Sequence, residues 1–184
     1  MTFRALRAAD RAAVPWRNGG GVTREVATDG SEPFRWRVSI ADVASNGPFS
    51  QFSGYARTIT LVRGAGMRLT VDDVVHTIDQ PYRMFQFSGA AETECELVKG
   101  PVIDLNVMHA GAPARQRIVV VNGPIEIAVT DTSIVIVLEN TVIARQHQSP
   151  DLELGEFDAV LAREPFTITP SPGPAAVVAI VEFD

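Results

Sequence analysis

The stretch Arg57-Thr58-Ile59-Thr60-Leu61-Val62 decides the fold class, because polar and apolar side chains alternate along most of it. A period of two is typical of a β-strand with one buried face. A Gly64-Ala65-Gly66 turn follows, and the alternation resumes in residues 67–71. The pair Asp72-Asp73 favours another turn before the apolar residues 74–78. This part of the chain therefore predicts antiparallel strands joined by tight turns.

The same pattern continues through the whole chain. Further strands are predicted between Pro, Gly and Asn residues, at 36–40, 82–87, 93–98, 102–108, 118–121, 125–129, 134–138, 142–144, 159–162, 166–169 and 176–183. The best helix candidate is a short segment over residues 6–14 that ends before Pro15. Many short strands at even spacing indicate an all-β sandwich or barrel.

A faint internal repeat suggests two domains. Residues 64–101 run strand, turn, strand, Pro and strand, and residues 138–174 follow a similar order. We therefore predict an all-β fold of two tandem cupin-like jelly-roll barrels packed together, a bicupin. The predicted domains are residues 1–112, with a ligand pocket, and residues 113–184, which serve mainly as scaffold.

Composition excludes several classes of function. The 184 residues carry a net charge of −6, which argues against nucleic-acid binding because that function needs a basic face. A single cysteine permits no intrachain disulfide and fits a reducing compartment. No signal peptide is evident, and the longest apolar run, residues 175–181, is too short to span a membrane. We expect a cytoplasmic protein without nucleic-acid or membrane partners.

The residue types for metal or nucleophilic chemistry are poorly represented. The three histidines are His76, His109 and His147, and none is paired with another as metal ligands in cupins usually are. Cys95 lies between two glutamates, where a thiolate is not favoured, and is interpreted as a small buried hydrophobe. No phosphate-binding or nucleophile-elbow motif is present. We predict no metal and no cofactor.

Arginine offers a better candidate for recognition of a small anion. Arg57 shares a strand face with Ile59 and Leu61, and an arginine there is costly unless it is paired or reaches a polar opening. At a barrel mouth it can bind a carboxylate through two hydrogen bonds. An ion-paired or snorkelling arginine is the alternative. Arg37 with Ser39 forms a second polar face, which solvent exposure would equally explain.

The block Trp16-Arg17-Asn18-Gly19-Gly20-Gly21-Val22-Thr23-Arg24-Glu25 also requires an explanation. Three consecutive glycines favour a turn, or a backbone that closely approaches a ligand. A Gly-rich turn between two strands is the simpler interpretation. The alternative is an anion-accepting concavity of backbone N–H groups.

This block and several later motifs resemble the HutD/Ves family. The resemblance comprises Pro15 with the block above, Trp36-Arg37-Val38-Ser39-Ile40-Ala41, Gly47-Pro48-Phe49-Ser50, Phe52-x-Gly54-Tyr55-x-Arg57-Thr58, Gly64-x-Gly66-Met67 and Asp104-Leu105-Asn106-Val107-Met108. These motifs cover about the first 110 residues, in the family's order. The resemblance implies a two-barrel cupin-like fold without the usual metal histidines and a link to bacterial histidine utilisation. Intermediates of that route, such as urocanate, formiminoglutamate and formylglutamate, all carry carboxylates.

The leading hypothesis is therefore a metal-independent protein that binds a small carboxylate and senses or limits a pathway intermediate. The predicted ligand-binding residues are Trp16, Asn18, Gly20, Thr23, Arg37, Ser39, Arg57 and Asn106. A metal-free cupin enzyme is the alternative, with Glu25, Asp104 or His109 as general base. A third interpretation is an interaction module, which leaves the Trp16–Glu25 block unexplained. A homodimer is compatible with each of these hypotheses.

Overall fold

The computed structural model describes residues 3–111 and 114–183. Contacts between residues divide the chain into two compact units. One unit is Arg11–Gly111, and the other combines the residues before it with those after it. The domain boundary predicted between residues 112 and 113 lies outside the described residues. None of the described residues forms an apolar helix of membrane-spanning length.

The unit Arg11–Gly111 consists of ten strands in two antiparallel sheets. The strands are β2 (Ala13–Pro15), β3 (Gly21–Thr28), β4 (Trp36–Val43), β5 (Gly47–Pro48), β6 (Ala56–Arg63), β7 (Met67–Val71), β8 (Val74–Ile78), β9 (Met84–Ser88), β10 (Thr93–Leu97) and β11 (Val102–His109). One sheet has the order β2-β3-β4-β11-β6-β9 and the other has the order β5-β10-β7-β8. The strands predicted on either side of Asp72-Asp73 form the hairpin β7–β8.

An apolar cluster fills the interior between these two sheets. It includes Ile59 and Leu61 from the six-stranded sheet and Met67, Leu69 and Cys95 from the four-stranded sheet. The strand faces are set by the alternation that the sequence shows, so Arg57 lies on the same face as Ile59 and Leu61 and is buried with them. The predicted face of Arg57 is thus confirmed.

The second unit has the same construction with different strand lengths. Its strands are β1 (Phe3–Leu6), β12 (Arg115–Val121), β13 (Ile125–Ile127), β14 (Thr132–Glu139), β15 (Val142–Arg145), β16 (Leu152–Leu154), β17 (Ala159–Ala162), β18 (Phe166–Pro170) and β19 (Ala176–Phe183). The sheet orders are β1-β17-β14-β19-β12 and β13-β18-β15-β16. Its core consists of aliphatic side chains with Phe166, for example Val135 and Val178 from the larger sheet and Ile168 from the smaller one.

The N-terminal segment departs from the sequence prediction in two respects. The predicted helix over residues 6–14 is wrong: the chain there finishes β1, makes a single 3₁₀ turn over Ala8–Asp10 and enters β2. Strand pairing supersedes local propensity at both ends of this segment, because β1 pairs antiparallel with β17 and β2 pairs antiparallel with β3. Residues 3–10 group with the C-terminal unit, although the sequence placed them in the first domain. The all-β class is confirmed.

Candidate functional site

A cavity of about 490 Å³ opens within the unit Arg11–Gly111. Its size lies within the range of small-molecule sites in proteins. Side chains from β3, β4, β6 and β11 form one part of its wall, and the segments around Trp16 and Phe52 form the rest. The lining residues are Val14, Pro15, Trp16, Arg17, Thr23, Glu25, Arg37, Ala41, Phe49, Ser50, Gln51, Phe52, Arg57, Asp104, Asn106 and Met108.

Strand register arranges the interior side chains of β11 at three levels. Met108 lies opposite Arg37 on β4 and Arg57 on β6, which places both arginines at one level. Asn106 is two residues further along β11, and Asp104 two residues beyond that. Because side chains alternate between the faces of a strand, these three residues of β11 face the same side. The wall of the cavity therefore carries two cations beside Met108 and a carboxyl group four residues away along β11.

Arg57 is buried and surrounded by aromatic rings. Only 5% of the residue is exposed. Its guanidinium carbon lies 5.6 Å from the centre of the Phe49 ring, 5.5 Å from that of Phe52 and 5.0 Å from that of Phe87. One terminal nitrogen donates a hydrogen bond of 3.1 Å to the carbonyl oxygen of Ser50. Aromatic faces stabilise the cation but do not neutralise it.

The charge of Arg57 is consequently poorly compensated. Among the described residues it forms no ion pair within 4.0 Å, and its Nε is buried without a hydrogen-bond partner. The pKa of Arg57 is lowered to about 10, mainly by burial; Asp104 opposes this shift and Arg37 contributes to it. A protonated guanidinium with free donor capacity beside a cavity is a site for an anion.

Arg37 is the second cation of the site. Its guanidinium carbon lies 5.0 Å from the centre of the Phe34 ring and 5.1 Å from that of Phe52, so Phe52 contacts both arginines. A terminal nitrogen lies 3.7 Å from the sulfur of Met108. Burial lowers the pKa of Arg37, and Glu25 partly offsets that shift. The arrangement fixes two like charges near each other, which favours a negatively charged ligand.

Asp104 and Asn106 supply the polar groups of β11. The Oδ1 atom of each is buried, and neither has a hydrogen-bond partner among the described residues. Burial raises the pKa of Asp104 to about 7, and Asp42 adds to this shift, whereas Arg57 opposes it. A buried polar atom without a partner is uncommon in native proteins, and its cost requires a reason.

The residues between β2 and β3 form a tight turn, in which Gly19 adopts a positive φ of 69°. The Gly20 amide donates to Asn18 Oδ1 at 3.0 Å, while Asn18 Nδ2 donates to the carbonyl of Pro48 at 3.1 Å. Gly21 is required by close strand approach, because a Cβ there would lie 2.4 Å from the carbonyl oxygen of Asp42. The interpretation as a turn is confirmed.

The structure brings five of the eight predicted ligand-binding residues to the cavity wall. They are Trp16, Thr23, Arg37, Arg57 and Asn106. Asn18, Gly20 and Ser39 are not part of the wall. The polar groups of Asn18 and the amide of Gly20 serve the turn. Ser39 lies opposite Asn106 on β11 but is only 1% exposed. Contact of these three residues with a ligand is therefore not supported.

Trp16 is held rigidly in that wall. Its Nε1 donates a hydrogen bond of 2.8 Å to Thr23 Oγ1, and its ring meets Phe49 edge to face at 5.5 Å. The Thr23 hydroxyl accepts that bond and keeps its own proton for another acceptor. The phenylalanines and Met108 have no ligand-binding role in the sequence prediction, although Phe49 and Phe52 lie within the motifs that carry the resemblance.

Metal-binding residue types do not gather in the described part of the chain. No group of three or more His, Cys, Asp or Glu side chains there could hold a metal ion. His76 packs against Phe85 with ring centres 4.6 Å apart. Of the three candidate bases, Glu25 and Asp104 line the cavity, whereas His109 is not part of its wall.

Solved structures of low sequence identity show which class of fold the protein has. Oxalate decarboxylase from Bacillus subtilis matches with a TM-score of 0.72 at 7% identity, over 98% of this chain and 77% of that chain. At this identity the likeness concerns the fold alone. The protein is a cupin-like all-β protein.

The family follows from closer matches. The HutD family model matches residues 8–178, and the chain belongs to the HutD family. HutD from Pseudomonas fluorescens SBW25, in a formate condition, is 29% identical with a TM-score of 0.81 over 98% of both chains. A conserved protein of unknown function from Pseudomonas aeruginosa PAO1 is 34% identical with a TM-score of 0.88, over 98% of this chain and 97% of that chain.

One curated relative links the family to the hut locus. An uncharacterised 21.2 kDa protein in the hutC 3′ region of Pseudomonas putida is 43% identical over 116 residues, and the match covers 61% of each chain. Protein Ves of Escherichia fergusonii is 39% identical over 97 residues, which are 50% of each chain. The chain thus spans between half and about three fifths of the curated relatives it matches. The association with the hut locus is consistent with histidine utilisation.

Proposed function

We propose that the cavity of the unit Arg11–Gly111 binds a small carboxylate, and that the protein senses or limits an intermediate of histidine utilisation. One observation carries this proposal: the buried Arg57 guanidinium borders the cavity without an ion-pair partner among the described residues. A carboxylate would neutralise it and accept its free donors. Asn106 and Thr23 would orient the ligand, and Trp16 would form one side of the site.

Membership of the HutD family supports a carboxylate as the ligand. The intermediates of histidine degradation that the family resemblance implies all carry carboxylates. The related HutD of Pseudomonas fluorescens was obtained in a formate condition, and formate is the smallest carboxylate. The proposal also includes a tandem pair of cupin-like barrels and a cytoplasmic location. The second barrel would act as scaffold.

Binding measurements on matched arginine variants test the proposal. Calorimetric and thermal-shift titrations would use formate, urocanate and N-formylglutamate against the wild type, Arg57→Met and Arg68→Met. Methionine keeps an apolar stem among the rings of Phe49, Phe52 and Phe87 but removes the charge. Arg68 is exposed on β7 and is not part of the wall, so its variant is the control.

The expected result is binding by the wild type and Arg68→Met, with a loss of about 100-fold in Arg57→Met, since charge-assisted hydrogen bonds contribute about 1.5–3 kcal/mol each. A ligand at 100 Kd stabilises the fold by about 2.7 kcal/mol, which a melting curve detects. Equal binding by all three proteins, or binding by none of them, would contradict the proposal.

A metal-free enzyme is a second candidate, favoured by one observation. Asp104 lines the cavity, and its pKa, raised to about 7 by burial, suits a group that exchanges protons near neutral pH. NMR spectra of each carboxylate incubated with the protein would reveal turnover. Conversion by the wild type that is lost in Asp104→Asn would favour an enzyme over a binding protein.

A further inference from the structure

Asp104 occupies the inner end of the polar wall. Strand register places it opposite Ala41 on β4 and Leu61 on β6, and only 2% of the residue is exposed. The next interior residue along β11 is Val102, which belongs to the apolar cluster. Asp104 is therefore the last polar side chain of β11 before the hydrophobic interior. It still borders the cavity.

The surroundings of Asp104 do not provide what a buried carboxylate needs. Its Oδ1 is buried and has no hydrogen-bond partner among the described residues. Burying an ionised carboxylate in such a place costs much free energy, because its charge loses hydration without gaining a partner. A neutral carboxylic acid costs less, since only one hydrogen-bond donor and one carbonyl oxygen are left unsatisfied. Burial accordingly raises the pKa of Asp104 to about 7, even though the Arg57 guanidinium lowers it.

We propose that Asp104 takes part in ligand binding as a neutral carboxylic acid, so that above neutral pH each bound carboxylate is taken up together with a proton. This inference rests on the proposed carboxylate-binding function. The anion contributes a second negative charge to the same small volume, and two carboxylates that share a site cannot both ionise without a large cost. A proton resolves the conflict, as in paired carboxyl groups elsewhere.

The proposed binding step transfers one proton from the solvent to Asp104. In the free protein above neutral pH, Asp104 is ionised and partly compensates Arg57. On binding, the ligand carboxylate becomes the counter-ion of Arg57, and Asp104 takes one proton from the solvent. Its O–H can then donate to a ligand oxygen, and no covalent bond forms or breaks. The affinity for an anion should therefore fall as pH rises through the titration of Asp104.

Several charged or titratable groups line the same cavity as Asp104 or interact with it electrostatically. They are Glu25 on β3, Arg37 and Asp42 on β4, Arg57 on β6, Cys95 on β10, and Arg17 in the loop before β3. Burial raises the pKa of Cys95 to about 12, so the thiol stays neutral between pH 5.5 and 8.5. The Arg57 guanidinium, with a pKa of about 10, keeps its proton in that range. Asp42 forms an ion pair with Arg24, and Glu25 is exposed at the cavity. Glu25→Gln is therefore the control variant.

The test uses sodium formate as the probe, which stays ionised between pH 5.5 and 8.5. Calorimetry in two buffers with different ionisation enthalpies gives the protons taken up by the wild-type protein. We expect an uptake of about one half to one proton per formate at pH 8, little at pH 5.5, and an affinity about tenfold weaker at pH 8 than at pH 6. Asp104→Asn should bind formate equally at both pH values. Glu25→Gln should keep the pH dependence.

Each outcome decides a different question. Formate binding without proton uptake would overturn the role of Asp104 and leave the proposed carboxylate site intact. Uptake that disappears in Glu25→Gln would assign the proton to Glu25 and likewise overturn it. Formate binding at no pH would overturn both proposals. Because uptake is measured on the wild-type protein, the test does not depend on the folding of Asp104→Asn.

Discussion

Strands β11 and β19 show how differently the two units use the same architecture. Both are eight residues long and lie between two neighbours in the larger sheet of their unit. Val178 and Ile180 on β19 belong to an apolar core, whereas β11 carries Asp104 and Asn106 at cavity-lining positions. A two-sheet unit of this kind therefore folds around a mostly apolar interior, with no buried charged side chain among its described residues. The buried Arg57 and Asp104 of the first unit are costly for folding, and the proposed ligand site would explain that cost.

A charge placed in the apolar core should have the largest effect. Val178→Asp buries a carboxylate among aliphatic neighbours, and we expect a loss of at least about 4 kcal/mol in the free energy of unfolding, or failure to fold. Denaturant unfolding measures this loss. Val120→Asp on β12 is the matched control, because Val120 is exposed and should change stability by less than about 0.5 kcal/mol. An unchanged denaturation midpoint for Val178→Asp would show that the interior of the second unit also accepts a buried carboxylate, and the two interiors would then not differ in this respect.

The pH dependence of stability should reveal Asp104 directly. Its pKa is raised in the folded protein to about 7, against about 3.9 in an unfolded chain. Between these values the folded state holds the extra proton, so this group contributes stability at low pH that is lost as pH rises towards 7. The wild type should therefore lose about 2 kcal/mol relative to Asp104→Asn between pH 5 and pH 8.

Melting curves of both proteins across this range measure the difference. Asp79→Asn is the matched control, because Asp79 is exposed and does not line the cavity. A constant difference between the wild type and Asp104→Asn at all pH values would mean that Asp104 is ionised throughout.

Aromatic support of the arginines should have a smaller effect. Phe52 contacts both guanidiniums, and Phe52→Leu removes two cation–π contacts of about 0.5–1 kcal/mol each. We expect carboxylate binding about fivefold to tenfold weaker, measured by calorimetry. Phe34→Leu is the control, because Phe34 contacts only Arg37 of these two arginines, and its variant should lose about half as much binding free energy. Equal affinity in Phe52→Leu and the wild type would show that the rings do not position the charges.

The smallest expected effect concerns the turn before β3. Asn18→Ala removes the hydrogen bonds to the Gly20 amide and the Pro48 carbonyl, and should lower the free energy of unfolding by about 1 kcal/mol. Carboxylate affinity should change little, since Asn18 is not part of the cavity wall. Strongly weakened binding with an unchanged melting temperature would restore Asn18 as a ligand contact.

Alternation in the sequence predicted most strands, but it did not predict whether their polar faces are buried or exposed. The hairpin β7–β8 and the buried face of Arg57 follow directly from a period of two. The same rule suggested a solvent-exposed face for Arg37 and Ser39. Both faces of β4 are in fact buried around Ser39, whose neighbours Val38 and Ile40 are buried as well. Periodicity distinguishes two faces, but it does not say which of them is covered.

The cavity-lining residues were predicted from two kinds of signal. Arg57 stood out because a cation on an apolar face is expensive, and Trp16 and Thr23 because they belong to a motif that carries the family resemblance. Asp104 entered the prediction only as one of three candidate bases, because its burial depends on strands far away in the chain. Asn18 and Gly20 were assigned to the ligand, yet their hydrogen bonds close the turn within the chain. The segment over residues 6–14 was mistaken for a helix because it joins two strands: Leu6 pairs with β17, about 150 residues later, and Ala13 and Val14 pair with β3.

The sequence by itself determined the all-β class, the family and the presence of a buried arginine, because these depend on local alternation and on short motifs. Only the tertiary structure decided that Arg37, Arg57, Asn106 and Asp104 line one cavity with aromatic rings around its cations. Strand order decided it, since β11 pairs with β4 on one side and β6 on the other. Burial, and with it the raised pKa of Asp104, is a property of that assembly, because the dielectric around a side chain is set by residues distant in sequence.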